Sequence, residues 1–287
     1  MELRKSWRAA PMNVLYKYFS LEYFLDAAAM NGFESIELWG AAPHLYIEAC
    51  TTADLLRVRR ALESRYLRAC CLTPESTLYP VNIASGDAVL RRRSLKNMLR
   101  SIEVAAELGI PLVQVVSGTG YYNEPIDEAW KWSRDSLETA VRKAESLGLE
   151  LSLEPLLPYE SNLVNSLTSV QRMLEELDTE VLGVHLDTVA MEAAGETLEA
   201  CLRTLGSRVK HIQLCDGPGG HLAWGDGSLP LDSNLDVLEQ HGYQGYLGLE
   251  MFDHSYYIDP DQVLKQCADQ MRKEGVKPGG GKEHSYE

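Results

Sequence analysis

Glu154, Asp187 and Glu250 each close an apolar run, in LGLELSLE, VLGVHLD and YLGLE respectively. Each run has the length and composition of a buried parallel strand, so each carboxylate sits where such a strand leaves the core. A fourth run, RVKHIQLCD, lies between the second and third and supplies His211, Gln213 and Asp216. The steps from Glu154 to Asp187 (33 residues), Asp187 to Gln213 (26) and Gln213 to Glu250 (37) are each about one βα unit. In one closed parallel barrel the strand ends converge on a single face, and these acids then form a site. Carboxylates so placed suit a hard divalent cation, Mn²⁺ first, with Mg²⁺ or Co²⁺ as alternatives. Two glutamates flanking a ligand can also exchange protons with it while a cation stabilises the negative oxygen that develops. That is the requirement for proton abstraction beside a sugar carbonyl. Helix capping or pairing with arginine is the plain alternative for any one acid, and a weaker one for all three together.

Other residues gather around this set. Glu160, in the proline-stiffened LEPLLPYESN, is placed above the same face to bind substrate hydroxyls or to stabilise its own turn. Trp39 and His44 follow the second strand in ELWGAAPH and offer an apolar wall and a polar tip to a sugar, against ordinary packing. Glu75 follows the third strand and either reaches substrate or stays solvated. His221, in the glycine-rich segment 217–227, is the best candidate for an imidazole at the site, and that segment reads as a substrate-dependent lid. His185 and His211 lie within strands and read as buried, hydrogen-bonded core residues.

The elements that must position these groups alternate along the chain. Strands are expected over 12–15, 35–39, 66–72, 112–116, 149–154, 182–187, 209–214 and 246–250. Helices are expected after a cap at Ser20, over 53–65 after a cap at Thr52, and over 87–108, 127–147, 169–177, 198–205, 235–241 and 261–272. Repeated βα alternation at this length predicts one α/β domain over 1–275, a (β/α)8 TIM barrel, with a disordered polar tail over 276–287.

Composition narrows the function classes. The formal charge of −15 repels nucleic acid and makes a phosphorylated sugar a poorer substrate than an uncharged or amine-bearing one. No run reaches the roughly 18–20 apolar residues of a membrane span, and no signal-peptide core follows the charged start, so a soluble, cytoplasmic protein is expected. Six cysteines without a CxxC pair fit a reducing compartment and argue against a thiolate zinc site. No dinucleotide or phosphate-loop pattern joins a strand to a helix.

The segments GFESIELWGAAPH, LTPES, LEPLLPYESN, HLD, KHIQLCD, GDGSLPL and GYLGLE resemble the sugar phosphate isomerase/epimerase superfamily with the xylose-isomerase-like barrel. Within it the pattern is most similar to the fructoselysine 3-epimerase group, over roughly 20–270. The resemblance implies metal-ligand positions at Glu154, Asp187, Gln213 and Glu250, acid/base roles for Glu154 and Glu250, and a substrate contact at Glu160. It also implies a homo-oligomer. The chain departs from the pattern twice. Metal-dependent members carry HxH on the seventh strand where this chain has His211-Ile212-Gln213, and many ketose epimerases carry histidine where it has Ala190. A glutamine carbonyl can coordinate a hard cation, but it discriminates less than imidazole. The first expectation is a metal-dependent epimerase or ketose isomerase acting on a non-phosphorylated keto-sugar or sugar conjugate through an enediolate. The alternatives are a dehydratase or lyase using the same site, and a metal-free sugar-binding barrel without catalysis.

Overall fold

A computed structural model describes residues 7–77 and 80–276. Eight parallel strands are formed: β1 (Arg8–Pro11), β2 (Ser35–Gly40), β3 (Arg68–Pro74), β4 (Leu112–Val116), β5 (Glu150–Glu154), β6 (Leu182–Asp187), β7 (Val209–Gln213) and β8 (Tyr246–Leu249). They run in the order β1-β8-β7-β6-β5-β4-β3-β2, and a parallel bridge between Met12 and Glu37 joins the two ends, closing the barrel. The helices are α1 (Leu21–Met30), α2 (Thr52–Glu63), α3 (Ala88–Leu108), α4 (Asp127–Leu147), α5 (Leu167–Leu177), α6 (Thr188–Ala193), α7 (Leu198–Leu205), α8 (Leu231–Gln240) and α9 (Pro260–Lys273). The (β/α)8 architecture expected from the alternation is present.

Strand alternation divides two kinds of interior. Ile36, Leu38, Val113, Val115, Leu151, Leu153, Val184, Leu186, Ile212 and Leu247 join the apolar core that includes helix residues such as Phe24, Val58, Ile102, Leu137 and Leu264. The intervening positions Glu37, Gln114, Ser152, Glu154, His185, Asp187, His211 and Gln213 are buried and polar. Their side chains bond across the barrel from strand to strand, so its interior is a hydrogen-bonded layer under the site. The ladder slips between Ile36 and Glu37 and again between Val184 and His185. Such irregularities re-aim the side chain that follows, and both slips immediately precede members of this polar layer.

Helix ends follow local chemistry. The Ser20 hydroxyl accepts from the Tyr23 N–H and starts α1, as its position predicts. For α2 the cap is Thr51, in a reciprocal box with Asp54, one residue before the expected Thr52. The first strand is Arg8–Pro11, and the expected strand segment 12–15 is instead mostly a 3-10 turn, Asn13–Tyr16. The third strand starts at Arg68, because Tyr66 before it turns with φ 56°. Most of the expected tail lies outside the described residues; Val276, at its start, is buried.

Candidate active site

The strand register sets the acids side by side. Asp187 is paired with Gln213 and Gln213 with Gly248, while Glu154 ends β5 opposite Val116. Glu250 follows directly on β8. Glu154, Glu250, His221, Glu160, Glu75 and Trp39 line one cavity of about 330 Å³ at this end of the barrel, with Gln114, Phe252 and Tyr257 among their neighbours. Of the four residues singled out by spacing, Glu154 and Glu250 line this cavity, and Asp187 and Gln213 lie beside it on paired strands.

Asp187 is 1% exposed. Its Oδ1 accepts from the Val189 and Ala190 N–H groups, both at 2.8 Å, and so caps α6. Its Oδ2 is buried with no hydrogen-bond partner. Gln213 donates from Nε2 to Glu37 Oε1 at 3.0 Å, and its Oε1 is likewise buried without a partner. Glu154 accepts from the Gln114 amide. Burial, followed by the charge of Asp187, pushes the Glu154 carboxyl well above the usual range. Burial, then Glu154 and Asp187, do the same to Glu250. Glu160 is also raised, chiefly by burial, although the Leu157 N–H and His221 oppose the shift.

His221 is buried. Its Nε2 stands 3.5 Å from Asp187 Oδ1 and 3.6 Å from Glu250 Oε2, and its ring stacks on Phe252 with centroids 4.2 Å apart. These three side chains are close enough to share one ion. The surrounding loop is pinned by Asp216, whose carboxylate accepts from the N–H groups of Gly217, Gly225, Gly227 and Leu229 at 2.9–3.0 Å. Asp216 and Leu222 also form a backbone bridge. In this conformation the loop expected as a lid over 217–227 is held on Asp216, and Asp216 serves the loop and not the cavity wall.

Two buried acceptor oxygens without donors, beside carboxylates whose mutual repulsion is uncompensated, form an environment that a positive ion satisfies. Carboxylate oxygens of Asp187 and Glu250 with the His221 imidazole nitrogen make a donor set suited to a hard or borderline divalent cation, and Glu154 lies outside that cluster. The residues fit such an ion.

His44 does not line the cavity. Its Nδ1 accepts from Asn13 Nδ2 at 2.8 Å and its Nε2 meets the Phe19 carbonyl at 2.9 Å, so both ring nitrogens are used in holding the loop after β2. Glu75 accepts from Trp39 Nε1 at 3.3 Å and from Thr77, which ties the cavity wall together. His185 and His211 are buried as expected. The acid they surround, Glu37, carries no signal in sequence, since it sits mid-strand in SIELWG and its partner His211 is 174 positions away. Burial alone would raise the Glu37 carboxyl, but His211 and the Thr73 hydroxyl bring it down to about 2.

A second groove of about 420 Å³ adjoins the first, sharing Ser76, Thr77, Leu156 and Glu160 with it. Its wall includes Leu90, Val116, Tyr121 and Trp132, together with the acids Glu124 and Glu128.

A family model described as the xylose isomerase-like TIM barrel matches residues 25–274. The fructoselysine 3-epimerase of Shigella flexneri is 27% identical over 252 residues, covering 87% of this chain and 91% of the relative. The ketose 3-epimerase of Arthrobacter globiformis is 27% identical over 183 residues, 63% of this chain and 62% of the relative. Among solved structures, an L-ribulose 3-epimerase superposes with a TM-score of 0.80 at 20% identity, covering 93% of this chain and 94% of that one.

Proposed function

The chain belongs to the xylose isomerase-like TIM-barrel family, and on that premise we propose that it is an isomerase that epimerises a non-phosphorylated keto-sugar or sugar conjugate at the carbon beside the carbonyl. The observation that carries this reading is the pair of glutamates, Glu154 buried and Glu250 partly exposed, lining one cavity and each biased toward holding a proton. One of them, ionised, takes the proton from the carbon next to the carbonyl. The other, protonated, returns one from the opposite face, and Glu160 and Trp39 orient the sugar between them. Asp187, Gln213, His221 and the two glutamates would hold a divalent cation, Mn²⁺ for preference. Bound there, the cation supplies positive charge to the oxygen that becomes negative as the proton leaves.

The relatives are named as epimerases, which favours this outcome over the dehydratase or lyase alternative. The unpartnered oxygens of Asp187 and Gln213 favour it over a metal-free binding barrel. Glu75, Glu154, Glu160 and Glu250 in the cavity wall would repel a phosphate, and Lys17, also in the wall, lies 3.9 Å over the Tyr257 ring. The adjoining groove, with apolar sides and Glu124 and Glu128, suits an aminoalkyl arm on the sugar. A cytoplasmic location agrees with six unpaired cysteines, and among the described residues no helix is long and apolar enough to cross a membrane.

Turnover of a bare ketose should be compared with that of the same ketose carrying an aminoalkyl group on C1, each with Mn²⁺. The conjugate should show the higher kcat/KM, and Glu124→Gln with Glu128→Gln should reduce that preference by roughly 10-fold, the equivalent of about 1.4 kcal/mol. Equal efficiency for both sugars would remove the conjugate from the proposal and leave the epimerase. Turnover of neither would count against the epimerase itself.

A further inference from the structure

Glu37 is fully buried below the cavity and is not part of its wall. Its Oε1 accepts from Gln213 Nε2 at 3.0 Å and from the Thr73 hydroxyl, and its Oε2 lies 2.9 Å from His211 Nε2. His185 packs on His211 with ring centroids 4.6 Å apart and lies 3.3 Å from the Ser152 hydroxyl through Nδ1. Glu37, His185 and His211 are near enough to share an ion, but three donors already occupy the Glu37 oxygens. The cluster is therefore a hydrogen-bonded network. It also requires Gly248, where a Cβ would come within 2.4 Å of Glu37 Oε2 and 2.8 Å of His211 Nε2.

A carboxylate only accepts hydrogen bonds, whereas a primary amide donates from one end and accepts at the other. Facing Glu37, the Gln213 amide must present its NH2 group, and this turns Oε1 away from Glu37. That oxygen is buried and without a hydrogen bond, on the strand beside Asp187, whose Oδ2 is also an unpartnered acceptor, as is Gln114 Oε1 in the cavity wall. If the amide were rotated by half a turn, its NH2 group would stand where an ion needs an electron pair. Imidazole at this position would bring a ligand nitrogen of its own; glutamine needs something to hold its orientation.

We propose that Glu37 is a positioning residue that fixes the Gln213 amide with its carbonyl oxygen toward the divalent-cation site, making glutamine a competent ligand there. The inference rests on the cation reading given under the proposed function. Residues that orient a metal ligand from behind typically contribute 10–100-fold in affinity.

The test is Mn²⁺ titration calorimetry on the unaltered protein, Glu37→Gln, Gln213→Ala and the double variant, with folding followed by circular dichroism. Glu37→Gln should weaken Mn²⁺ binding by roughly 10–100-fold. In the Gln213→Ala background the same change should have almost no further effect, because a residue that acts through Gln213 has nothing left to act on. Should Glu37→Gln not fold, Glu37→Asp keeps the charge and shortens the reach to Gln213, and it should show the same dependence on background. Equal losses in both backgrounds would overturn the inference by showing a merely structural role, as would binding indifferent to Glu37. No Mn²⁺ binding by the unaltered protein would overturn the cation reading and this inference together.

Discussion

The two oxygens of Asp187 are used differently: Oδ1 caps α6, while Oδ2 is buried and without a partner. Capping, the plain alternative for a strand-end acid, therefore applies to half of this carboxylate and leaves the other half for an ion. The acids Glu154, Asp187 and Glu250 were legible in sequence because each stands out at the end of an apolar run. Glu37 was not, because one acid inside a short strand looks like an outward polar residue until its partners close in from β3 and β7. His44 was legible as a histidine near the site but not as a packed one, since its partner Asn13 lies 31 residues earlier. His221 was picked out as a spare imidazole, and its Nε2 stands within 3.6 Å of both Asp187 and Glu250. His221→Ala should weaken Mn²⁺ binding by roughly 10-fold or more with the fold retained, as read by calorimetry and circular dichroism. Unchanged affinity would leave His221 as a wall of the sugar pocket.

At the level of elements, the loop after β7 owes its shape to a single carboxylate. Four N–H groups converge on Asp216, where glycines let the backbone approach closely; a Cβ at Gly227 would meet the Gly217 carbonyl oxygen at 2.2 Å. In sequence the conformational freedom of these glycines is visible, and the acceptor on which their N–H groups converge is not. Asp216→Ala strands these donors. It should cost on the order of 3 kcal/mol in stability, measured by urea unfolding, and should lower Mn²⁺ affinity by releasing His221. A stable variant with normal Mn²⁺ binding would show that the loop holds itself. Other differences have equally local causes. The first strand has only four residues, RAAP, with little apolar signal, and α6 is six residues long and starts straight off Asp187, leaving no linker to mark it.

For the molecule as a whole, alternation and spacing were enough to give a barrel, because repeated βα units of this length have few other ways to bury their strands. They did not show that the barrel interior is a polar network, and this has consequences for stability. Burial, followed by the neighbouring His211, lowers His185 from an ordinary 6.5 to about 3, and Glu37 goes from 4.5 to about 2. Unfolded chain therefore takes up protons at these groups before the folded protein does. Stability that is full above about 6.5 should fall as pH drops toward 3 through His185, and further between 4.5 and 2 through Glu37. In chelator, thermal melts should show this decline, and His185→Gln should flatten its upper part. A melting temperature constant from pH 7 to 4 would contradict the network.

The central claim is that Glu154 and Glu250 move a proton at the carbon beside a sugar carbonyl. It is tested most directly by incubating the Mn²⁺-supplied protein with a ketose in D₂O and reading the product by NMR. The account predicts inversion at C3 with solvent deuterium incorporated there. It also predicts that Glu250→Gln, which keeps the size of the side chain and a coordinating oxygen, turns over roughly 10²–10⁴-fold more slowly. Inversion without exchange, together with full activity in Glu250→Gln, would contradict it.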